Sequence, residues 1–165
     1  MYLKSFILSI AIGLITLGCG YHFSATIPII FPNNAKTIII QKVINPSQES
    51  WLEGEIRSFL NEEITKRSNA KIISQNTADL SLIVRIEHIS TSEQTKEEND
   101  LTFKYAAKVS LSLIFKDSKG VVVLKTKPTT YSESYTSEAE KKEALAKAVD
   151  ECLRLGLNQL SNNDF

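Results

Sequence analysis

The 165-residue sequence holds only two cysteines, Cys19 and Cys152, so no disulfide framework can be built and the fold must rest on an apolar core. Net charge is also absent, because 19 basic and 19 acidic side chains cancel, and no long block of either sign occurs. Nucleic acid is therefore not an expected partner. No apolar run approaches the ~20 residues that a bilayer-spanning helix needs. Internal repeats, low-complexity stretches, phosphate loops, Gly-x-Ser-x-Gly elbows and Cys-x-x-Cys pairs are all missing. His22 and His88 stand alone, with no second nitrogen or sulfur ligand at metal-binding spacing. The adjacent carboxylates Glu62-Glu63 and Glu97-Glu98 read as solvated surface rather than acid–base pairs. These absences leave no expected metal, cofactor or catalytic site, and they direct attention to binding or assembly.

What is present begins at the amino terminus. Behind Lys4, Phe6 to Leu17 is an apolar-rich run of the length found in secretory leaders. It ends not in an Ala-x-Ala site but in Gly13-Leu14-Ile15-Thr16-Leu17-Gly18-Cys19-Gly20. A small residue followed by cysteine resembles a bacterial lipobox, in which the thiol is acylated and the chain is cut just before it. Thr16 stands where leucine is usual, and Leu17 follows it. Residues 1–18 are thus expected to be a lipoprotein signal peptide and Cys19 the lipidation site; an ordinary secretory leader is the alternative. One acyl chain, at roughly 0.8 kcal/mol per buried methylene, attaches only reversibly, whereas several chains on one cysteine hold a protein at the membrane. By resemblance to enterobacterial sorting rules, Gly20 rather than aspartate favours the outer membrane. An acylated Cys19 leaves Cys152 without a partner, and its place on the apolar stripe of a helix reads as a buried core thiol.

About 147 residues follow the leader, enough for one domain. Residues 19–36 carry Pro28, Pro32 and Asn33-Asn34 and read as a lipidated tether, with a single α+β domain over 37–165. Thr37 to Val43 is β-branched and nearly all apolar, as in a buried strand. Ser50-x-x-Glu53 has capping-box spacing, and Leu52, Ile56, Phe59, Leu60 and Ile64 recur as one face of a helix. Leu80, Leu82, Val84 and Ile86 alternate in a strand that weakens toward Ile89, before a polar, mostly acidic loop from Thr91 to Asp100. Phe103 to Phe115 alternates again, and Asp117-Ser118-Lys119-Gly120 is a tight turn. Val121 to Lys127 returns as a strand, extended toward Tyr135 past an edge or bulge at Pro128. Ser137-x-x-Glu140 opens a last helix whose stripe is Leu145, Val149, Cys152, Leu153, Leu157 and Leu160. The order strand, helix, three strands, helix predicts a two-layer α+β sandwich, a mixed four-stranded sheet with both helices on one face.

One constellation stands out. A turn at Asp117 to Gly120 that pairs Lys116 with Val121 sets Leu113 opposite Leu124 and Phe115 opposite Val122, all pointing inward. The same register sends Lys125 and Lys127 outward, opposite Ser112 and Ser110, on a face shared with Lys104 and Lys108 and with Arg85 from the preceding strand. Such a basic, hydroxyl-dotted sheet face suits a multiply phosphorylated or carboxylated ligand. The plainer alternative is that these lysines keep an exposed face soluble, and Glu87 on the same face favours it.

The stretch Leu17-Gly18-Cys19-Gly20-Tyr21-His22-Phe23 is similar to the start of mature LptE-family lipoproteins. The strand Thr37 to Val43, the helix opening Leu52-Glu53, Ala78-Asp79 at a strand start, Phe103-Lys104-Tyr105, the Tyr131 to Tyr135 segment and the alanine-bearing last helix also resemble that family. The resemblance implies an outer-membrane lipoprotein of the lipopolysaccharide translocon, anchored on the periplasmic side and without enzymatic activity. Its implied partners are the LptD β-barrel, which it plugs, and lipopolysaccharide, whose passage to the outer leaflet it assists. On that reading Arg85, Lys104, Lys108, Lys125 and Lys127 would meet lipid A phosphates or the barrel wall. Other readings are a different periplasm-facing lipoprotein, such as a secretion-pore pilotin or a lipid-binding carrier, and, more remotely, a tethered enzyme.

Overall fold

Alternating apolar residues and two amphipathic runs call for a sheet with one oily face, and the core forms on that face. The structure is a computed structural model that describes residues 27–75, 77–94 and 104–161. The leader, Cys19, His22, most of the tether, most of the acidic loop, Phe103 and the tail from Asn162 lie outside the described residues. Strand β1 (Thr37–Ile44) leads to helix α1 (Leu52–Arg67), followed by β2 (Lys71–Ile72), β3 (Leu80–Gln94) and β4 (Lys104–Asp117). Then come β5 (Val122–Lys125), β6 (Thr129–Tyr135) and helix α2 (Glu138–Asn158). The sheet order is β2-β1-β3-β4-β5, and β6 pairs with β4 farther along the edge that β5 uses. β1 is parallel to β2 and β3, and the remaining pairs are antiparallel.

The class is the expected one, a mixed sheet with two helices, but the strands number six rather than four. β2 is a two-residue strip, too short for any periodicity to announce. The strand expected from Val121 to Tyr135 splits in two near Pro128, which has no N–H for the ladder. There the Thr126 hydroxyl accepts from the Leu113 N–H at 2.9 Å in place of a backbone partner. The turn also differs from its expected register. The Asp117 N–H donates to the Val121 carbonyl, and Asp117 Oδ1 accepts from the N–H groups of Lys119 and Val121, each at 2.9 Å. Phe115 then faces Leu124, Ile114 faces Lys125, and Lys116 faces Val122 across a bulge. For Leu124 and Lys125 the two-residue change keeps the expected face, so Lys125 remains outward, whereas Val122, expected inward opposite Phe115, pairs with Lys116 and is exposed.

Two single-residue irregularities set the phase of the sheet. In β1 the register jumps between Ile40 and Lys42, and in β3 between Ile86 and His88. Gln41 and Glu87 are the extra residues, which is why Ile38, Ile40 and Val43 are all buried despite a broken two-residue period. The Ile40 carbonyl at the first irregularity accepts from Arg57 Nη1 of α1 at 2.8 Å. Parallel pairing of β1 with β3 is latched at its start. Asp79 Oδ2 accepts from the N–H groups of Lys36 and Thr37, and the Asp79 N–H donates to the Thr37 hydroxyl, all at 2.9 Å. Those bonds, Lys36 first, hold the Asp79 carboxyl below its usual range.

Leu82, Val84, Leu111, Leu113 and Phe115 of the inner face pack against Leu52, Ile56, Leu60 and Ile64 of α1 and Leu145, Val149 and Leu153 of α2. Each such side chain contributes about 1.5–3 kcal/mol on burial. A Cβ added at Gly156 would lie 3.2 Å from Leu113 Cδ1, so glycine is what lets α2 sit this close to β4. Cys152 is fully buried as expected, its Sγ 3.3 Å from the Val109 carbonyl, and burial pushes the thiol up to about 11. Ile29 and Phe31 already belong to the core ahead of β1, with the Phe31 ring 5.9 Å from that of Phe115.

Three local expectations are corrected. Neither serine caps its helix: α1 follows Trp51 and α2 follows Ser137, with no side-chain cap bond at either. Asn45 instead organises the turn before α1, accepting from the Ser47 N–H at 3.0 Å and donating to the Glu49 carbonyl at 2.9 Å. Before α2, Glu140 accepts from the Thr136 N–H and hydroxyl, both at 2.9 Å, which keeps its carboxyl below the usual range. Third, Glu63 is not solvated. It is buried and bonded at 3.1 Å to Arg67 Nη1, whose other nitrogens hold the Ile27 carbonyl and Asn158 Oδ1. A four-residue spacing on one face put Glu63 beside Arg67, and the C-terminal end of α2 covered them both.

Candidate functional site

The sheet face turned away from the helices carries the chemistry that the core does not use. Ladder pairs lying between the buried ones are outward: Lys42 with Ile83, Ile44 with Arg85, Arg85 with Ser112, Ser90 with Lys108, Ile114 with Lys125. Arg85, Lys104, Lys108 and Lys125 thus share one face, and all four are exposed. Lys127 does not join the ladder. It sits in the break between β5 and β6, where its N–H donates to Gln159 Oε1 at 2.9 Å and its carbonyl accepts from Gln159 Nε2 at 3.2 Å.

Three further residues belong to this face. Lys42 arrives there because the extra Gln41 shifts the phase of β1, and Lys116 and His88 follow from their pairing with Ser81 and Ser110. The signal for Lys42 was the spacing Ile38, Ile40, Val43, two residues and then three. Lys42 lies diagonally beside Arg85, roughly 8 Å away on strand geometry. Lys104 and Lys108 are about 13 Å apart on the same basis, and the cations run along the face for about 35 Å. The cations are thus spread in rows along the face rather than gathered around one point.

Hydroxyls fill the space between the cations. Ser110 accepts from Thr130 at 3.0 Å, and fully buried Ser112 donates to Glu87 Oε1 at 2.8 Å. The bulged Glu87 therefore places one carboxylate among the cations, engaged with a serine. Chemically, the face offers charge-assisted donors in fixed rows, which suits binding. Among the described residues, no group of three His, Cys, Asp or Glu side chains gathers where a metal could be held. None of the described helices is long and apolar enough to cross a membrane.

The sequence profile of LptE, described as lipopolysaccharide-assembly, matches residues 35–160, from just ahead of β1 to just beyond α2. The chain belongs to the LptE family. Its fold is thus that of a lipopolysaccharide-assembly lipoprotein family, and the outward cations lie within the matched LptE span. No curated protein sequence matches the chain. Among solved structures it is similar to a minor lipoprotein from Acinetobacter baumannii, at 15% identity over 78% of this chain and 92% of that one, with a TM-score of 0.46. It is also similar to an uncharacterized lipoprotein B from Nitrosomonas europaea, at 12% identity over 87% and 88%, TM-score 0.47. PelC from Paraburkholderia phytofirmans is similar at 14% identity over 78% and 88%, TM-score 0.48.

Proposed function

We propose that this protein is an outer-membrane lipoprotein, acylated at Cys19, that plugs and helps assemble an LptD-type β-barrel and assists passage of lipopolysaccharide to the outer leaflet. The observation that carries the reading is membership of the LptE family over nearly the whole folded unit. A wide outer-membrane barrel has a polar lumen that can accept a folded plug, and a filled, rigid wedge with a polar outer face suits that place. Among the described residues the inner face is packed with leucine and isoleucine side chains from the sheet and both helices, which favours a plug over a lipid carrier. Arg85, Lys104, Lys108 and Lys125 would meet lipid A phosphates or the barrel wall, with Lys127 at the rim of the face.

Depletion in the native cell tests the function. Lipopolysaccharide surface display and barrel maturation are expected to fall, and normal display with a mature barrel would overturn the reading. Extraction in detergent is expected to bring down a barrel several times larger than this 18.4 kDa chain.

A further inference from the structure

Strand β3 has 15 residues and its neighbour β1 only 8, and the difference leaves an edge uncovered. β1 stops at Ile44, which pairs with Arg85. Beyond Arg85, β3 runs on to Gln94 against β4 alone, with no strand on its other side among the described residues. The ladder is regular from His88 and Ser110 to Gln94 and Lys104, so the bulge at Glu87 lies before this stretch. Which backbone groups point outward follows from the far side of β4. The Leu113 carbonyl accepts from the Thr126 N–H, and the Leu113 N–H donates to the Thr126 hydroxyl, so odd-numbered residues of β4 face β5 and β6. Its even-numbered residues, Lys104 to Ser110, face β3 and share the ladder with Gln94, Ser92, Ser90 and His88. The N–H and C=O groups of Ile89, Thr91 and Glu93 therefore point to the open side.

The other sheet edges are closed or blunted, as free-standing domains require. On β1, β2 covers Thr37 and Ile38, and Arg57 Nη1 takes the Ile40 carbonyl. β5 is four residues long and ends in Lys125. β6 follows Pro128, carries Glu133 and lies along α2, whose Cys152 carbonyl accepts from the Thr129 hydroxyl. From His88 to Gln94, by contrast, the β3 edge holds no lysine, arginine or proline. Ile89 is half-buried there, and Thr91, Ser92 and Glu93 are exposed. Such a row of unpaired donors and acceptors is a template for one more strand.

We propose that an extended segment of the partner barrel adds to this edge as a strand, in the line that β1 vacates past Ile44. The proposal deepens the plug reading and takes the identity of the partner from it. A closed barrel wall has no unpaired strand to give, so the segment comes from outside the wall, from a loop or an added domain. Charge selects what it carries. On the open face Arg85 stands at the near end of the edge, and Lys108 lies one strand away beside Ser90. Glu87, the carboxylate between them, is already held by Ser112. Side chains of the incoming strand that point to that face are therefore acidic or hydroxylic. The strand covers His88 to Gln94, about 20 Å of edge. It lies in the plane of the sheet, so the domain stays seated in the lumen with its basic face unobstructed.

Amide hydrogen exchange tests this on the mature protein, because only alternate residues should respond. Native outer membranes are exposed to deuterated water and quenched, and the segment 86–94 is read residue by residue beside the purified chain. In the purified chain Ile89, Thr91 and Glu93 are expected to exchange fast, while the ladder slows His88, Ser90 and Ser92. In membranes the first three are expected to slow at least tenfold. Thr91→Pro removes an open-side N–H and no ladder bond. It is expected to keep the urea midpoint of the unaltered chain and to bring down severalfold less barrel in detergent, whereas Ser90→Pro loses stability. Exchange on the unaltered chain decides the matter even where Thr91→Pro fails to fold. Barrel recovered from membranes in which Ile89, Thr91 and Glu93 still exchange fast overturns the added strand and leaves the plug reading standing. Protection without a recovered barrel overturns the named partner and the plug reading together. Protection that appears in the purified chain and rises with its concentration assigns the edge to a second copy and overturns the barrel segment.

Discussion

On β4, Leu111, Leu113 and Phe115 are fully buried under the helices, while Lys104 and Lys108, out of step with them, are exposed on the opposite face. One strand thus serves two purposes by alternation alone. The covered face is held by volume: a Cβ at Gly156 would already press on Leu113. The uncovered face is held by short hydroxyl contacts such as Thr130 to Ser110 and Ser112 to Glu87, which fix no volume. The difference teaches where sequence change is tolerated. Substitutions on the covered side should be read in stability, and those on the open side in binding.

That contrast can be broken or sharpened. The largest effect should come from Arg67→Ala, which strands buried Glu63 and frees the Ile27 carbonyl and Asn158. A loss of about 3–5 kcal/mol in urea unfolding is expected. Leu113→Ala should cost about 2–5 kcal/mol in the same assay, by lost burial plus the cavity left under α2. A loss below that range would show that α2 collapses into the gap.

Asp150 gives a smaller effect with a pH signature. Its Oδ1 is buried without a hydrogen-bond partner, and burial first, then Glu55, push the carboxyl from 3.8 up to about 6, against the opposing pull of Arg154. A carboxyl raised in the folded state costs stability in full above pH ~6, and the cost fades as pH falls through ~4, below which both states become neutral. Asp150→Asn should therefore stabilise the fold near pH 8 by about 1 kcal/mol, after discounting for the exposed half of the group. The gain should vanish below pH ~4 in urea titrations; a gain that persists there would assign it to packing instead. The smallest stability effect belongs to the open face. Arg85→Ser and Lys108→Ser should each move stability by less than about 0.5 kcal/mol while lowering retention on immobilised lipopolysaccharide. A large stability loss would show that the open face is structural.

Much of this was legible in the chain. Leu145, Val149, Cys152, Leu153, Leu157 and Leu160 recur at helical spacing and are all buried, and Val109, Leu111, Leu113 and Phe115 kept their strand period. The outward placement of Arg85, Lys104, Lys108 and Lys125 followed from the same alternation. Glu63 was misread because the C-terminal end of α2, which covers it and its same-helix partner Arg67, is distant in sequence. Lys127 was misplaced because Pro128 breaks the ladder, and Lys42 was overlooked because Gln41 shifts the phase of β1.

Periodicity and turn chemistry by themselves determined the helices, the main strands and the one oily face, because each depends on residues within a few positions of one another. The tertiary structure decided the phase shifts at Gln41 and Glu87 and the buried Glu63–Arg67 pair. Those depend on which segments meet across the sheet and at the helix ends, and that is settled by packing between elements far apart in the chain.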